Sequence, residues 1–328
     1  MSEAEDSVRP VSDPAPPPDL DPARYAIRRA LVRDDVELAY AHAAPAGGRG
    51  FPLLLVHGWP ETMRIWWRNI DALAAAGFEV IAPDLRGFGA SSLAGDGSYD
   101  VAAHARDLHE LVHDVLGHER CVASGGDIGG GVIIDLGLRF PGFVERQVLF
   151  NCPLPILPEA YAAAGLDVKV SREVRQAADY FVRQGRDADA LAAELSTAEL
   201  RRRYIEPIYG SRFWAAPGAF SGDAAAFMAQ PFEDADRLRA SFGNYESALG
   251  VRPLSEPPRF FEPSPVPTVA LYGPDDHVMF RDFCERCEVA FTDLVGPFVV
   301  PRAGHFLQWE RAELLNATIA GFSRDLLG

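Results

Sequence analysis

At 328 residues, 48% of them apolar, the chain can bury a large core, and its length suits one big α/β domain with an insertion better than two independent domains. A formal net charge of −16 lacks the basic footprint that nucleic-acid modules need, so no nucleic-acid partner is expected. Nearly all the positive charge is arginine, with Lys169 the only lysine, and the acidic balance reads as solvated surface.

Residues 1–24 are rich in proline and acid (Pro14, Pro16, Pro17, Pro18, Asp19, Asp21); they cannot bury apolar area and read as a disordered tail. Met1–Asp6 has neither a basic flank nor an apolar stretch, and no run approaches the ~20 apolar residues of a membrane span. A cytoplasmic location without a membrane partner is therefore expected. Structure should begin near Tyr25. Strand-like runs at Val36–Ala43, Pro52–His57, Phe78–Pro83, Cys121–Ser124 and Gln147–Asn151 alternate with helix-like runs at Met63–Ala75, Val101–Leu116 and Gly130–Phe140. Such alternation predicts an α/β fold, with a mostly parallel central sheet and helices on both faces. Over 152–257 the pattern turns helical, alanine-rich and aromatic, which reads as an inserted helical cap. Alternation resumes with Pro267–Gly273, Arg281–Phe291, Phe298–Pro301 and a last amphipathic helix over Phe306–Leu327. The core is thus expected in two segments, 25–151 and 258–328, and a ligand is expected beyond the carboxyl ends of the strands.

Gly125-Gly126-Asp127-Ile128-Gly129 carries a carboxylate where the turn pattern Gly-x-Ser-x-Gly carries a serine. Small flanking residues let strand and helix approach closely and force the central side chain out of the top of the sheet. A carboxylate held there attacks carbon and leaves an alkyl ester that water must cleave. The order nucleophile, acid, histidine continues with Asp276 in Gly273-Pro274-Asp275-Asp276 and His305 in Gly304-His305-Phe306, each after a predicted strand. The histidine would activate water, and the acid would fix its tautomer; Asp275 competes with Asp276 for that part. The backbone N–H groups of Trp59 and Ile128 are the candidate oxyanion hole.

Through His57-Gly58-Trp59-Pro60-Glu61, Trp67-Arg68 and Ile70, Asp84-Leu85-Arg86-Gly87-Phe88-Gly89, the Asp127 turn and the late acid and histidine, the chain resembles the epoxide hydrolases of the α/β-hydrolase superfamily. The similarity covers roughly 25–151 and 258–328. It implies the α/β-hydrolase fold and a cofactor-independent scheme in which Asp127 opens a small apolar epoxide and water activated by His305 with Asp276 releases a vicinal diol. By its spacing from Gly273, it also favours Asp276 over Asp275. The family's cap usually supplies one or two tyrosine hydroxyls that protonate the epoxide oxygen. Here the matching positions fall at Phe242 and near Ala177, with Tyr245 and Tyr180 one helical turn on and on roughly the same face. Tyr204 and Tyr209 are further candidates, while Phe181, Trp214 and Phe242 are expected to line an apolar pocket.

Rival readings exist. A haloalkane or haloacid dehalogenase shares the aspartate nucleophile but needs halide donors; Ile128 has none, which leaves Trp59 or a cap residue such as Trp214. A non-catalytic receptor of the same shape is the alternative from another class. His109-Glu110-Leu111-Val112-His113 fits the His-Glu-x-x-His spacing of zinc peptidases. The apolar stripe of that helix (Val101, Ala105, Leu108, Val112, Val115) puts both histidines at its flank, so no metal is expected. Cys284 and Cys287 read as core packing, and Cys121 and Cys152 add no expectation of a disulfide.

Overall fold

The computed structural model describes residues 18–33, 35–167 and 180–327. Its strands are β1 (Ile27–Val32), β2 (Val36–Ala43), β3 (Phe51–Val56), β4 (Phe78–Pro83), β5 (Cys121–Gly126), β6 (Val144–Phe150), β7 (Thr268–Tyr272) and β8 (Leu294–Val299). They form one sheet in the order β1-β2-β4-β3-β5-β6-β7-β8. Pairing is antiparallel at β1–β2 and β2–β4 and parallel across the rest. The expected mostly parallel α/β architecture is the observed one.

The central strands read as continuous apolar runs because helices cover both of their faces. In β3, Leu53, Leu54, Leu55 and Val56 are fully buried, each contributing on the order of 1.5–3 kcal/mol over exposure. The sequence reading passed over β1, whose Arg28 and Arg29 interrupt its apolar positions. On an outer strand such residues face solvent, and Ala30 and Val32 alone turn inward.

Two predicted helices are broken. The run Met63–Ala75 becomes a 3₁₀ turn, Met63–Trp66, started by the Thr62 side chain, and then α1 (Ile70–Ala75). Between them the buried Asn69 bonds to Asn316 (2.8 Å). The last helix divides at Arg311 into Leu307–Glu310 and Ala312–Phe322, with a 3₁₀ turn at Arg324–Leu326. The break coincides with Glu310, whose carboxylate accepts the N–H groups of Gly304 (2.7 Å), Ala216 (3.0 Å) and Phe306 (3.1 Å). α2 (Val101–His109) runs on as a π-helical turn over Glu110–Val115, and α3 (Asp127–Arg139) starts earlier than predicted, at Asp127 itself.

Between β6 and β7, the described residues of 152–257 form helices and turns and no strand. Among them are a helical stretch at 180–186 and the helices Ala198–Gly210, Ala235–Ser241 and Gly243–Ala248. Their apolar side chains (Phe227, Leu238, Phe242) join the same buried cluster as the sheet. Among the described residues no helix is long and apolar enough to cross a membrane.

Candidate active site

β5 ends at Gly126 and α3 begins at Asp127, whose φ of 45° lies in the left-handed region. A side-chain-bearing residue held there costs about 1–3 kcal/mol, strain typical of functional turns. The glycines make the turn sterically possible. A Cβ on Gly129 would stand 2.4 Å from the Val56 carbonyl oxygen, and one on Gly58 would stand 2.5 Å from the Asp127 Cβ.

The strand ends converge on this turn. The Asp127 N–H donates to the Asn151 carbonyl (3.0 Å), just past β6. Asp127 Oδ1 accepts the Trp59 N–H (2.9 Å) from the loop after β3, and its Oδ2 faces His305 Nε2 at 3.3 Å. His305 Nδ1 lies 2.9 Å from Asp276 Oδ2, and Asp276 Oδ1 accepts the Val278 N–H (2.7 Å). The imidazole thus pairs with Asp276; Asp275, on the same turn, gives its backbone N–H to the Ala303 carbonyl (2.9 Å). All three side chains are buried. Burial opposes a charge on His305, yet Asp276 and then Asp127 outweigh it and raise the imidazole well above its usual pKa.

Two supports went unassigned in the sequence. Asn151 donates through Nδ2 to Asp276 Oδ2 (2.8 Å) and accepts the Gly273 N–H (2.8 Å), lashing the acid's turn to the end of β6. Its φ of 39° is one that asparagine tolerates well, and an asparagine at a strand's carboxyl end was the available signal. Glu61 accepts the Gly58 N–H (2.7 Å) and the Gln308 amide (2.9 Å), which fixes the loop presenting Trp59. His57 adds to this: Nε2 accepts the Leu85 N–H (2.9 Å), and burial lowers its pKa to about 4, so it stays neutral.

Burial raises the Glu61 pKa from 4.5 to about 7, against the pull of the Gly58 N–H and His305. The folded state therefore holds this proton more tightly than the unfolded one. The associated stability is complete below the unfolded value and is lost as pH climbs through the folded one. In urea unfolding, the stability of the wild type relative to Glu61→Gln is expected to fall by roughly 3 kcal/mol between about pH 4.5 and about pH 8. A pH-independent difference would rule this titration out.

Aromatic rings close over the carboxylate. Tyr180 stacks on Trp59 (5.5 Å between centroids, 9°), Tyr245 meets Trp59 edge-on (5.6 Å), and Trp214 meets the His305 ring edge-on (4.9 Å). The two phenol rings meet edge-on (5.9 Å between centroids, 84°). Burial raises both phenols well above their usual pKa; next come the Asp127 and Asp276 charges for Tyr180, and the Tyr180 and Asp127 charges for Tyr245. Beside this group opens an apolar cavity of about 340 Å³ whose wall includes Ile128, Tyr245 and Phe181. Phe242, expected to line the pocket, is fully buried and absent from that wall. It is the residue between helices 235–241 and 243–248, where its ring packs into the core.

The remaining candidates separate. The Tyr209 hydroxyl donates to the Pro60 carbonyl, so it holds the loop and is not turned toward Asp127. Tyr204 accepts from Gln184 (3.0 Å). Ala177 lies outside the described residues. The Trp59 indole N–H is engaged by Ser241 (3.1 Å) and is not free for a halide. In the His-Glu-x-x-His segment, Glu110 caps the Arg33 N–H (2.8 Å) and His109 stacks on Phe140 (3.7 Å). His109, His113 and Asp114 come within 4.8 Å of one another on the surface, away from Asp127.

Fold and site together define a hydrolase of the α/β type. A family model described as alpha/beta hydrolase fold matches residues 52–312, and the chain belongs to that family. Among curated proteins it is 23% identical over 286 residues to "Epoxide hydrolase 4" of Mus musculus, covering 87% of this chain and 76% of the relative. It is 42% identical over 106 residues to "Soluble epoxide hydrolase" of Corynebacterium sp., spanning 32% of this chain and 35% of the relative. Among solved structures, the epoxide hydrolase CorEH matches with a TM-score of 0.76 at 23% identity, over 92% of this chain and 99% of that one, a likeness of fold.

Proposed function

We propose that this protein hydrolyses small apolar epoxides to vicinal diols through an ester on Asp127, using no cofactor. One observation carries the reading: a carboxylate anchored by the Trp59 N–H stands 3.3 Å from an Asp276-oriented imidazole, beneath two phenols that meet edge-on. Segment 152–257 acts as the cap that supplies those phenols to the core of 25–151 and 258–328.

In the first step, Asp127 Oδ2 attacks a ring carbon, because Oδ1 is held by Trp59. The C–O bond breaks, and the ring oxygen takes a proton from Tyr245 or Tyr180. Esterification removes the Asp127 charge that had raised the His305 pKa, so the imidazole gives its proton back, by way of solvent, to the tyrosinate and becomes a base. In the second step His305 deprotonates water, which adds to the ester carbonyl. The Trp59 and Ile128 N–H groups hold the oxyanion. Collapse expels the diol oxygen, which takes the imidazolium's proton, and Asp127, left as the acid with one oxygen from water, returns its proton to His305. Ile128 offers no donor side chain and the Trp59 indole is engaged, which weighs against dehalogenation.

The test is a single turnover of styrene oxide by excess enzyme in heavy-oxygen water. The first diol is expected to carry ordinary oxygen from Asp127. Solvent label in that diol would refute the ester route.

A further inference from the structure

The cavity beside Asp127 is apolar over most of its wall, through Val101, Leu154, Ile156, Leu254 and Phe260. Besides Asp100 and Tyr245, two polar side chains interrupt it. Asn244 and Ser247 are 8% and 6% exposed, and the Asn244 Nδ2 and Ser247 Oγ atoms are buried without a hydrogen-bond partner. Both lie in the cavity wall, one helical turn apart on Gly243–Ala248 and therefore on one face. A buried donor left unpaired costs about 1–3 kcal/mol, so such a pair in an apolar wall is a feature that calls for a ligand.

The surroundings fix how these groups point. Glu246, on the opposite side of the helix, is pinned by Arg239 (2.8 Å) and Arg252 (3.0 Å). Asn244 Oδ1 faces His104 Nε2 at 3.1 Å. Burial lowers the His104 pKa to about 3, so the ring is neutral, and with its proton on Nε2 it donates to the Asn244 oxygen. The Asn244 oxygen is thereby used and its NH₂ group is left for the cavity.

We propose that Asn244 and Ser247 form a second subsite that takes a neutral molecule bearing a hydrogen-bond-accepting oxygen, such as a ketone, ester or ether, at a distance from the reacting carbon. An amide nitrogen can only donate, so the ligand's group must accept. Among the described residues, the wall carries no lysine, arginine or histidine, and its carboxylate is Asp100, whose oxygens accept from Ala102, Ala103 and Ser255. A carboxylate would meet the like charge of Asp100. The inference rests on the epoxide-opening reading only for the reacting end.

The test measures binding and needs no turnover. Benzylacetone and its isostere with a methylidene in place of the carbonyl are titrated against tryptophan fluorescence in the wild type, Ser247→Ala and Asn244→Leu. The wild type is expected to prefer the ketone by roughly three- to tenfold, the worth of a neutral hydrogen bond, and each variant to lose most of that preference. Equal binding of the pair by the wild type, or a preference that survives both substitutions, overturns the subsite. Ser247→Ala removes one atom and no internal partner, so the result stands even if Asn244→Leu, which strands His104, fails to fold. Loss of diol formation with an intact ketone preference would sink the hydrolase reading and leave the subsite in place.

Discussion

Incubated with styrene oxide, a His305→Ala variant is expected to accumulate protein heavier by one substrate mass while steady-state turnover falls on the order of 10²–10⁴-fold. The imidazole is needed to deprotonate water, whereas ring opening draws on the Asp127 carboxylate and the phenols. Removing it should spare alkylation and stall hydrolysis. Asp276→Asn should behave alike, since the 2.9 Å contact to Nδ1 sets both the tautomer and the stability of the imidazolium. Asp127→Asn is the control. Asparagine tolerates the φ of 45° and can still accept the Trp59 N–H, so the variant tests the charge and not the turn. It should form no adduct; intact mass spectrometry showing one would place the nucleophile elsewhere.

The second large effect is expected at the cap. With both Tyr180 and Tyr245 changed to Phe, single-turnover alkylation should slow by roughly 10²–10⁴-fold, while hydrolysis of any ester that forms keeps its rate. The phenols stay protonated beside the carboxylates, so they enter ring opening as donors. As Asp127 becomes an ester its charge passes to the departing oxygen, and a phenol once opposed by that charge gives up its proton more readily. Unchanged alkylation in the double variant would remove both tyrosines from this role. Because the two phenols stand side by side, the single variants should lose less than the pair.

Much of the fold was legible because its determinants are local. Continuous apolar runs such as Leu53–Val56, separated by amphipathic helices, specify buried parallel strands with little reference to distant residues. The Asp127 turn was legible from its glycine spacing alone, although the clashes that require Gly125 and Gly129 are with the distant Val56 and His57. The outer strand β1 was not, since solvent-facing Arg28 and Arg29 interrupt its apolar pattern, and neither was the break at Asn69, whose partner Asn316 is remote in the chain.

By itself the sequence determined that a carboxylate occupies a nucleophile's turn and that an acid and a histidine follow later strands. Only the tertiary structure decided that Asp276, and not its neighbour Asp275, meets His305, and that Asn151 and Glu61 brace the loops. It also decided that Tyr180 and Tyr245 meet over Trp59 while Tyr209 turns to Pro60. The physical reason is one of range. Turn chemistry and apolar periodicity are written in neighbouring residues, whereas a side chain's hydrogen-bond partner is chosen by how whole strands and helices pack, across separations such as the 125 residues between Asn151 and Asp276.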